Sequence, residues 1–382
     1  MSSNIADRLR TVSRRQYLKG SGAAALTGLA GCAGGADGTG GQNGTTVGQA
    51  NEKQYSMTFA SPYTNKSSKY VPIAQEAFAK NVEEETDGRV SVDLAPAGEL
   101  GSGSALAQKV QQGAIEAGLF SLSNWSPFVP EVDLINLPYL AGSNQEFVNL
   151  IRSDIWKNTI LPTIRQKGYE PAYYVVVAPR SFATGPTITD PPTTPEQLAE
   201  MDITHRVNAS DILQKAWNIV DANPSPVDWG ETPSALRQGV VNSLHVSPEF
   251  LAAFGFENLV NHLVLISAVE DAQTVSMSRS WYTSLPGDVQ DDVDRAARKT
   301  QQHNYNRIPQ TQKNAYELFR SHGAEFHELS DSKLQKWKDA FGYQLDVWDP
   351  YKKRLAGSME RFQEFEKAIK TKADIDVPSG EI

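Results

Sequence analysis

Apolar positions along the first half of the chain recur with strand-like and helical spacing. Residues 55–60 and 89–94 predict two strands, the second with Val90, Val92 and Leu94 on one side. Between them, apolar residues three or four positions apart predict a helix over residues 70–86. Another helix is predicted over residues 103–112. Strands and helices in alternation favour an α/β fold.

The middle of the chain continues this pattern, and the last third is helical. Strands are predicted over residues 173–178, 263–266 and 273–278, and a helix over 210–220. A capping box at Thr194 predicts the start of a further helix. One long amphipathic helix near the C-terminus is predicted by the spacing of Leu355, Met359, Phe362, Phe365 and Ile369.

The N-terminus has the pattern of an export signal. Arg14 and Arg15 precede a run of small residues that is shorter than the ~20 apolar residues needed to span a bilayer. The run ends in Leu-Ala-Gly-Cys, which resembles a lipobox with Cys32 as the lipidated residue. We predict a twin-arginine signal over residues 1–31 and a flexible Gly-rich tether over 32–52, because the tether offers little apolar surface to bury.

Charge and cysteine content exclude several classes of function. The chain has 36 basic and 45 acidic residues, a net charge of −9. Residues 1–31 hold five of the basic and one of the acidic residues, which leaves 31 against 44, or −13. Nucleic-acid binding needs a basic face, so we predict none. Because Cys32 is the one cysteine, the body can hold no disulfide or thiol nucleophile, and no cofactor is predicted.

Six short motifs follow one another along the body of the chain. In this order they resemble the solute-binding receptors of tripartite ATP-independent periplasmic (TRAP) transporters, from about residue 55 to about 345. Glu116 and Tyr139 stand where that family usually has Asp and Phe. The motifs are Pro96-Ala97-Gly98-Glu99-Leu100-Gly101, Val110-Gln111-Gln112-Gly113-Ala114-Ile115-Glu116, Leu137-Pro138-Tyr139, Arg180-Ser181-Phe182-Ala183-Thr184, His205-Arg206-Val207 and Ala235-Leu236-Arg237-Gln238-Gly239-Val240-Val241.

The resemblance implies a two-lobe periplasmic-binding-protein-like fold with a ligand cleft between the lobes and long bracing helices. Lobe 1 would comprise residues 53–177 and about 272–315, and lobe 2 residues 178–271 and about 316–375, with the C-terminal helix. Such receptors usually bind a small organic acid and deliver it to the membrane subunits of a permease driven by an ion gradient. We expect membrane contact through the lipid anchor alone, and a monomer, with a dimer left open.

The resemblance also implies which residues bind the ligand. Arg206 stands where the family has an arginine that pairs with the ligand carboxylate, and a planar guanidinium matches a carboxylate in two parallel hydrogen bonds. Arg180 matches a second position that reaches the ligand or orients the first arginine; a structural salt bridge is the alternative. Trp229 stands near the ligand body in the family, or else in the core.

The turn at residues 242–248 departs from the family, which has acidic or amide residues there. His245 occupies that position, and an imidazole disfavours a bridging Ca²⁺ or Na⁺. His245 either donates to an anionic ligand, with an affinity that changes near its pKa of about 6.5, or is a satisfied core histidine. Asn208 and Asn124 complete the binding candidates; both also head Asn-x-Ser/Thr triplets, as does Asn43 in the tether.

Two other classes of function stay open. A surface enzyme is unsupported, because the chain has no Gly-x-Ser-x-Gly elbow, His-Glu-x-x-His or phosphate-binding glycine loop, and no catalytic residue is predicted. The nearest metal-like cluster is His322, Glu325, His327 and Glu328, but its spacing does not place both histidines on one helical face, so no metal site is predicted. A ligand-binding sensor would have the same lobes as a transport receptor.

The anchor at Cys32 predicts where the protein is found after export. Cys32→Ser removes the only lipid attachment site, so we expect the variant in the medium with its ligand binding intact. Fractionation of the culture with an immunoblot of membrane and medium measures this. Retention of the variant in the membrane fraction would show that the lipid is not what holds the protein.

Overall fold

The structure is a computed structural model that describes residues 55–73 and 75–378. The predicted signal over residues 1–31, the tether over 32–52, Cys32 and Asn43 lie outside the described residues. In the part that is described, no helix has both the length and the apolar character needed to cross a membrane.

Two β-sheets organise the chain. Sheet A has the strand order β2-β1-β3-β10-β4 and sheet B the order β11-β9-β5-β8-β6-β7. The predicted strands at residues 55–60, 89–94, 173–178, 263–266 and 273–278 all correspond to strands, with ends shifted by a few residues. The strands are β1 (Tyr55–Ala60), β2 (Val90–Ala95), β3 (Ala117–Ser121), β4 (Tyr169–Pro179), β5 (Ser181–Thr184), β6 (His205–Val207), β7 (Pro224–Pro226), β8 (Ser243–Val246), β9 (His262–Val264), β10 (Glu270–Ser278) and β11 (Glu325–His327).

The two sheets are joined where strands of one continue into strands of the other. β4 passes directly into β5 through Arg180, and β9 is followed by β10 after residues 265–269. In sheet A, β1 pairs in parallel with β2 and β3, whereas β10 is antiparallel to both β3 and β4. Sheet A therefore takes strands from residues 55–179 and 270–278, and sheet B from 181–264 and 325–327. The fold is α/β with two lobes, as predicted; the exact lobe boundaries stay a prediction.

Thirteen helices surround the sheets in the described part of the chain. The predicted helices over 103–112 and 210–220 are present, and Thr194 is confirmed as an N-cap, since its Oγ1 accepts a hydrogen bond from Gln197 N. The returning bond of the capping box differs from the prediction, because Gln197 Oε1 accepts from the backbone N–H of Thr193. The helices are α1 (Gln75–Glu85), α2 (Gly103–Gln111), α3 (Asn144–Arg152), α4 (Leu161–Gln166), α5 (Pro195–Ala199), α6 (Asp211–Ile219), α7 (Thr232–Arg237), α8 (Pro248–Ala253), α9 (Arg279–Ser284), α10 (Gly287–Ser321), α11 (Asp331–Phe341), α12 (Asp349–Ala356) and α13 (Met359–Lys370).

Two helix predictions need correction. The helix predicted over residues 70–86 begins only at Gln75, because residues 65–69 form a separate 3₁₀ turn. The single C-terminal helix is two helices, α12 and α13, because Gly357 has a left-handed φ of 87° and Ser358 caps the next helix. These two helices pack against α3 and residues 130–136, which lie within the range predicted for lobe 1.

The hydrophobic core is divided by sheet face, and each half extends across both lobes. On β4, Tyr173, Val175 and Val177 join one cluster and Val176 the other, because successive strand side chains point to opposite faces. On β5, Phe182 and Ala183 continue the same division. The 35-residue helix α10 packs on α1 and β4 of lobe 1 and on α8 of lobe 2, so it braces both lobes.

A buried carboxylate connects the two lobes away from the strands. Asp133 accepts hydrogen bonds from Ser210 Oγ at 2.6 Å, Asn136 Nδ2 at 2.7 Å and Ser126 Oγ at 2.9 Å, and from the backbone N–H of Ile212 at 3.2 Å. Ser210 is also the N-cap of α6, which follows β6 of sheet B. One side chain therefore fixes the start of α6 against the segment that precedes α3.

Asp133→Ala leaves these four donors without their acceptor, three of them on buried side chains. We expect the free energy of unfolding to fall by about 3 kcal/mol, since each unsatisfied buried group costs about 1–3 kcal/mol. Urea denaturation followed by circular dichroism measures the change. Asp154→Ala, at a side chain that is 94% exposed, is the matched control and should be neutral. Equal stability of both variants would contradict the role given to Asp133.

Candidate functional site

A cavity lies between the two sheets and is lined by residues from both. Its volume is about 50 Å³, whereas about 10–15 Å³ is enough to hold one water molecule. Its size therefore suits a small ligand. The structure brings all six predicted binding residues together in its wall: Asn124, Arg180, Arg206, Asn208, Trp229 and His245.

The ends of the strands explain how residues so distant in sequence meet. Tyr63 follows β1 and Ser121 ends β3, at the carboxyl edge of sheet A. Asn208 follows β6 and Val246 ends β8, which is parallel to β6, at the carboxyl edge of sheet B. Ligands of open α/β sheets bind at this edge, where side chains project beyond the last backbone hydrogen bonds.

Arg180 is held by a carboxylate that sequence reasoning missed. Its Nε donates to Asp271 Oδ1 at 3.2 Å, and the other oxygen, Oδ2, accepts from the backbone N–H of Ser247 at 2.9 Å. Arg180 Nη2 donates to Ser123 Oγ at 3.3 Å. Both charged side chains are almost fully buried. Arg180 thus forms a structural ion pair at the β4–β5 junction and also lines the cavity, and its contact with a ligand stays a prediction.

Arg206 has no such carboxylate. It is 8% exposed, and its Nε donates to the carbonyl oxygen of Val227 at 2.9 Å. Among the described residues, no Asp or Glu oxygen forms an ion pair with it. Burial and the nearby positive charge of Arg180 lower the pKa of Arg206 to about 10, so the guanidinium stays charged at neutral pH. Asp228 and Asp271 act on this charge through space and partly offset the shift, but neither forms an ion pair with Arg206. The cavity wall therefore contains a buried cation that has no carboxylate of the described residues in direct contact.

The aromatic ring of Trp229 lies against the guanidinium of Arg206. The Cζ atom of Arg206 lies 5.2 Å from the centroid of the Trp229 ring, within the range of a cation–π interaction. The ring itself stacks on Phe256 at 5.3 Å and meets the edge of Phe254 at 4.9 Å. Trp229 is therefore half-buried and fixed by two aromatic neighbours, so it can orient the guanidinium without moving.

His245 is neutral in this environment. Burial, reinforced by the positive charge of Arg180, holds the pKa of its ring well below 6.5. Neither ring nitrogen has a hydrogen bond of ordinary geometry with the described protein, so it is not the satisfied core histidine of the alternative interpretation. A pKa held well below 6.5 moves any change of affinity that this ring would cause to lower pH, and a neutral imidazole can serve the ligand as donor or acceptor.

Further polar and aromatic groups complete the wall. Asn124 and Asn208 lie on opposite sides of it, after β3 and β6, and Asn208 Oδ1 accepts from Ser210 N at 3.2 Å. Tyr63, Phe120 and Gln273 also line the cavity, and Gln273 Nε2 donates to the Tyr63 hydroxyl. These residues were not predicted.

A local signal existed for two of the missed groups. Tyr63 lies just after the strand predicted at residues 55–60, at the kind of strand end where α/β proteins place their sites. Asp271 is one of two adjacent acids, with Glu270, just before the strand predicted at residues 273–278, and a charge that enters a buried strand calls for a partner.

Two more buried acids lie behind the ion pair. Glu249, in the first turn of α8, is completely buried, and burial with a smaller contribution from the negative charge of Asp271 raises its pKa to about 7. Burial and Asp271 also raise the pKa of Glu270 well above its usual range. The protonated form of Glu270 is therefore favoured, and Glu249 is close to its midpoint at neutral pH.

The cluster of metal-ligating side chains in the structure differs from the one that the sequence analysis considered. His322 is not part of it, since its Nδ1 lies 2.9 Å from the carbonyl oxygen of Leu318 on the solvent side. Within the described residues, the group with metal-ligand spacing is instead His262, Glu325 and His327, none of which lines the cavity.

Two α/β lobes around a cavity with a buried cation define a two-lobe receptor for a small anionic solute. The chain belongs to the bacterial extracellular solute-binding protein family 7 (DctP), whose model matches residues 61–350. Members of this family act outside the cytoplasm, which agrees with the predicted export. The resemblance proposed from the sequence motifs is thereby confirmed.

Individual relatives are distant but cover most of the chain. The C4-dicarboxylate-binding periplasmic protein DctP of Rhodobacter capsulatus is 20% identical over 270 residues, 69% of this chain and 77% of the relative. Two crystal structures of TRAP periplasmic solute binding proteins share the fold. One, from Roseobacter denitrificans with bound β-D-glucuronate, has a TM-score of 0.72 at 18% identity and covers 83% of this chain and 100% of that one. The other, from Sulfurospirillum deleyianum with bound succinate, has a TM-score of 0.71 at 19% identity over 84% and 99%.

The variant Glu249→Gln tests whether burial raises the pKa of the Glu249 carboxyl in the folded protein. The folded-state pKa of about 7 exceeds the unfolded value of 4.5, so ionisation of Glu249 weakens the fold as the pH rises between these values. The stability of the variant relative to wild type should improve by about 3 kcal/mol from pH 4 to pH 8, at about 1.36 kcal/mol per pKa unit.

Thermal and urea unfolding at pH 4, 6 and 8 measure this difference. Glu231→Gln, at an exposed position, is the control and should keep the wild-type pH profile. A Glu249→Gln profile parallel to wild type would mean that Glu249 ionises as it does in the unfolded chain.

Proposed function

We propose that the protein is an extracytoplasmic receptor that captures a small organic acid through Arg206 and delivers it to an ion-gradient-driven TRAP permease. The observation that carries this is the isolated guanidinium of Arg206 in the cavity wall. A buried charge without a partner is unfavourable, and a carboxylate is the group that an arginine fork pairs with in two parallel hydrogen bonds. The carboxylates bound by the glucuronate and succinate receptors support the same ligand class.

The charge balance of the cavity favours a ligand with one carboxylate at this position. Arg180 and Asp271 neutralise each other, and His245 is uncharged, which leaves the single positive charge of Arg206. Asn124 and Asn208 supply amide groups that match hydroxyl or carbonyl oxygens elsewhere on the ligand. We therefore favour a hydroxy or keto monocarboxylate over a dicarboxylate.

The same proposal covers the location, the oligomeric state and the ligand-binding residues of the protein. Lipidation of Cys32 would hold the receptor at the outer face of the cytoplasmic membrane, beside its permease. We propose that the protein acts as a monomer, binds no nucleic acid and has no enzymatic activity. The six cavity residues named above would bind the solute, and lobes with the predicted boundaries would close over it. A sensor that passes the signal to another protein is the alternative.

Arg206→Ala is the direct test. A small hydroxy or keto acid should raise the melting temperature of the wild-type protein, and the variant should lose that rise, since removing the partner of a buried charge costs about 2–5 kcal/mol. A thermal-shift screen of mono- and dicarboxylic acids, followed by calorimetry, measures both. Arg206→Lys keeps the charge but not the fork and should bind weakly.

Arg237→Ala removes an exposed arginine of α7 and serves as the matched control. Wild-type affinity of the Arg206→Ala variant for the acid would contradict the proposed binding site. Tighter binding of dicarboxylates than of monocarboxylates would overturn the charge-balance argument alone. Turnover of the acid by the protein without other components would favour the enzyme class.

A further inference from the structure

Three metal-ligating side chains meet at the edge of sheet B, away from the cavity. β11 is the edge strand and pairs in parallel with β9, with Glu325 opposite His262 and His327 opposite Val264. Glu325 and His327 are two positions apart on one strand, so their side chains lie on the same face. The register therefore gathers two imidazoles and one carboxylate from segments 63 residues apart in sequence.

The distances between their donor atoms fit a shared metal ion. His262 Nδ1 lies 3.2 Å from His327 Nε2, and each of these nitrogens lies 3.8 Å from Glu325 Oε2. A triangle with sides of 3.2, 3.8 and 3.8 Å has its equidistant point about 2.1 Å from each corner. Zn–N and Zn–O bonds are about 2.0–2.2 Å long. The three atoms thus surround a point at coordination distance.

The surroundings suit a metal ion that enters from solvent. His262 is largely buried and His327 is three-quarters buried, whereas the side chain of Glu325 is 68% exposed. Besides Glu325, Asp190 and Lys333 bring one negative and one positive charge near His327. Solvent at the open side would supply the remaining ligands.

We propose that His262, Glu325 and His327 form a binding site for a divalent transition-metal ion of the Zn²⁺ type. Two imidazoles and one carboxylate favour Zn²⁺, Co²⁺, Ni²⁺ or Cu²⁺ over Ca²⁺ and Mg²⁺, which take oxygen ligands. The site would have three protein ligands and an open position for water. None of the three residues lines the solute cavity, so the metal is separate from solute capture.

The position of the site indicates a structural role. β11 follows the bracing helix α10 and is held in sheet B only by its pairing with β9. A metal bound across β9 and β11 would fasten the end of α10 to lobe 2. Binding to the folded protein but not to the unfolded chain raises the melting temperature.

The test uses the full chain in a Cys32→Ser background, without a polyhistidine tag and after treatment with a chelator. Calorimetry with Zn²⁺ should show one equivalent bound, and Co²⁺ should give the visible absorption of a nitrogen- and oxygen-ligated site. Glu325→Gln and His327→Gln should weaken Zn²⁺ binding by more than the 10–100-fold typical of changes to residues behind the ligands. Both positions reach solvent, and circular dichroism confirms their folding.

His322→Gln and Glu328→Gln change neighbouring exposed residues of the same types and should bind as wild type does. The proposal is overturned if the wild-type protein binds no stoichiometric Zn²⁺, or if Glu325→Gln and His327→Gln bind it as tightly as the two controls. In that case the three side chains form only a hydrogen-bonded pair of histidines beside a surface glutamate.

Discussion

The buried ion pair between Arg180 and Asp271 is the interaction on which the site depends. Arg180 is the single residue between β4 and β5, and Asp271 is the second residue of β10, the strand that returns from sheet B to sheet A. The pair therefore joins both crossings between the lobes. Because Asp271 also accepts from the backbone of Ser247, the same carboxylate fixes the turn that follows His245. The contact between Arg180 and Asp271 therefore affects both the geometry and the charge of the cavity wall.

The division of the core by sheet face explains how a two-lobe protein keeps a continuous interior. Strand β4 passes into β5 without a loop, so the alternation of its side chains carries each face from one lobe into the other. Helix α10 contributes to both clusters, since Tyr305 and Ile308 lie in one and its two ends, around Val293 and Phe319, lie in the other. The cavity is thus left at the strand ends, between two lobes whose cores are shared rather than separate.

Much of the fold could be predicted from local patterns. The strands around Val90 and Val175 and the cap at Thr194 follow from alternation and capping chemistry, and the motif containing Arg206 contributed a residue of the cavity wall. The partner of Arg180 could not be predicted, because the pairing of β10 with β3 and β4 is decided by tertiary packing. The proximity of His262 to His327 depends in the same way on the register of two distant strands. Gly357 shows the opposite case, since a single left-handed residue ended a helix that the apolar spacing alone would have continued.

The isolated charge of Arg206 also affects which form of the receptor is favourable. If the lobes closed without an anion, a guanidinium would leave water and gain only a carbonyl oxygen and an aromatic face in return. A carboxylate removes that penalty, so closure and loading are linked through electrostatic free energy. An uncharged molecule of the same shape would leave the penalty in place. Arg206 would therefore favour closure around an anion over closure of the empty receptor. The membrane subunits would then meet closed receptors that carry a ligand, because only a loaded receptor closes at low energetic cost.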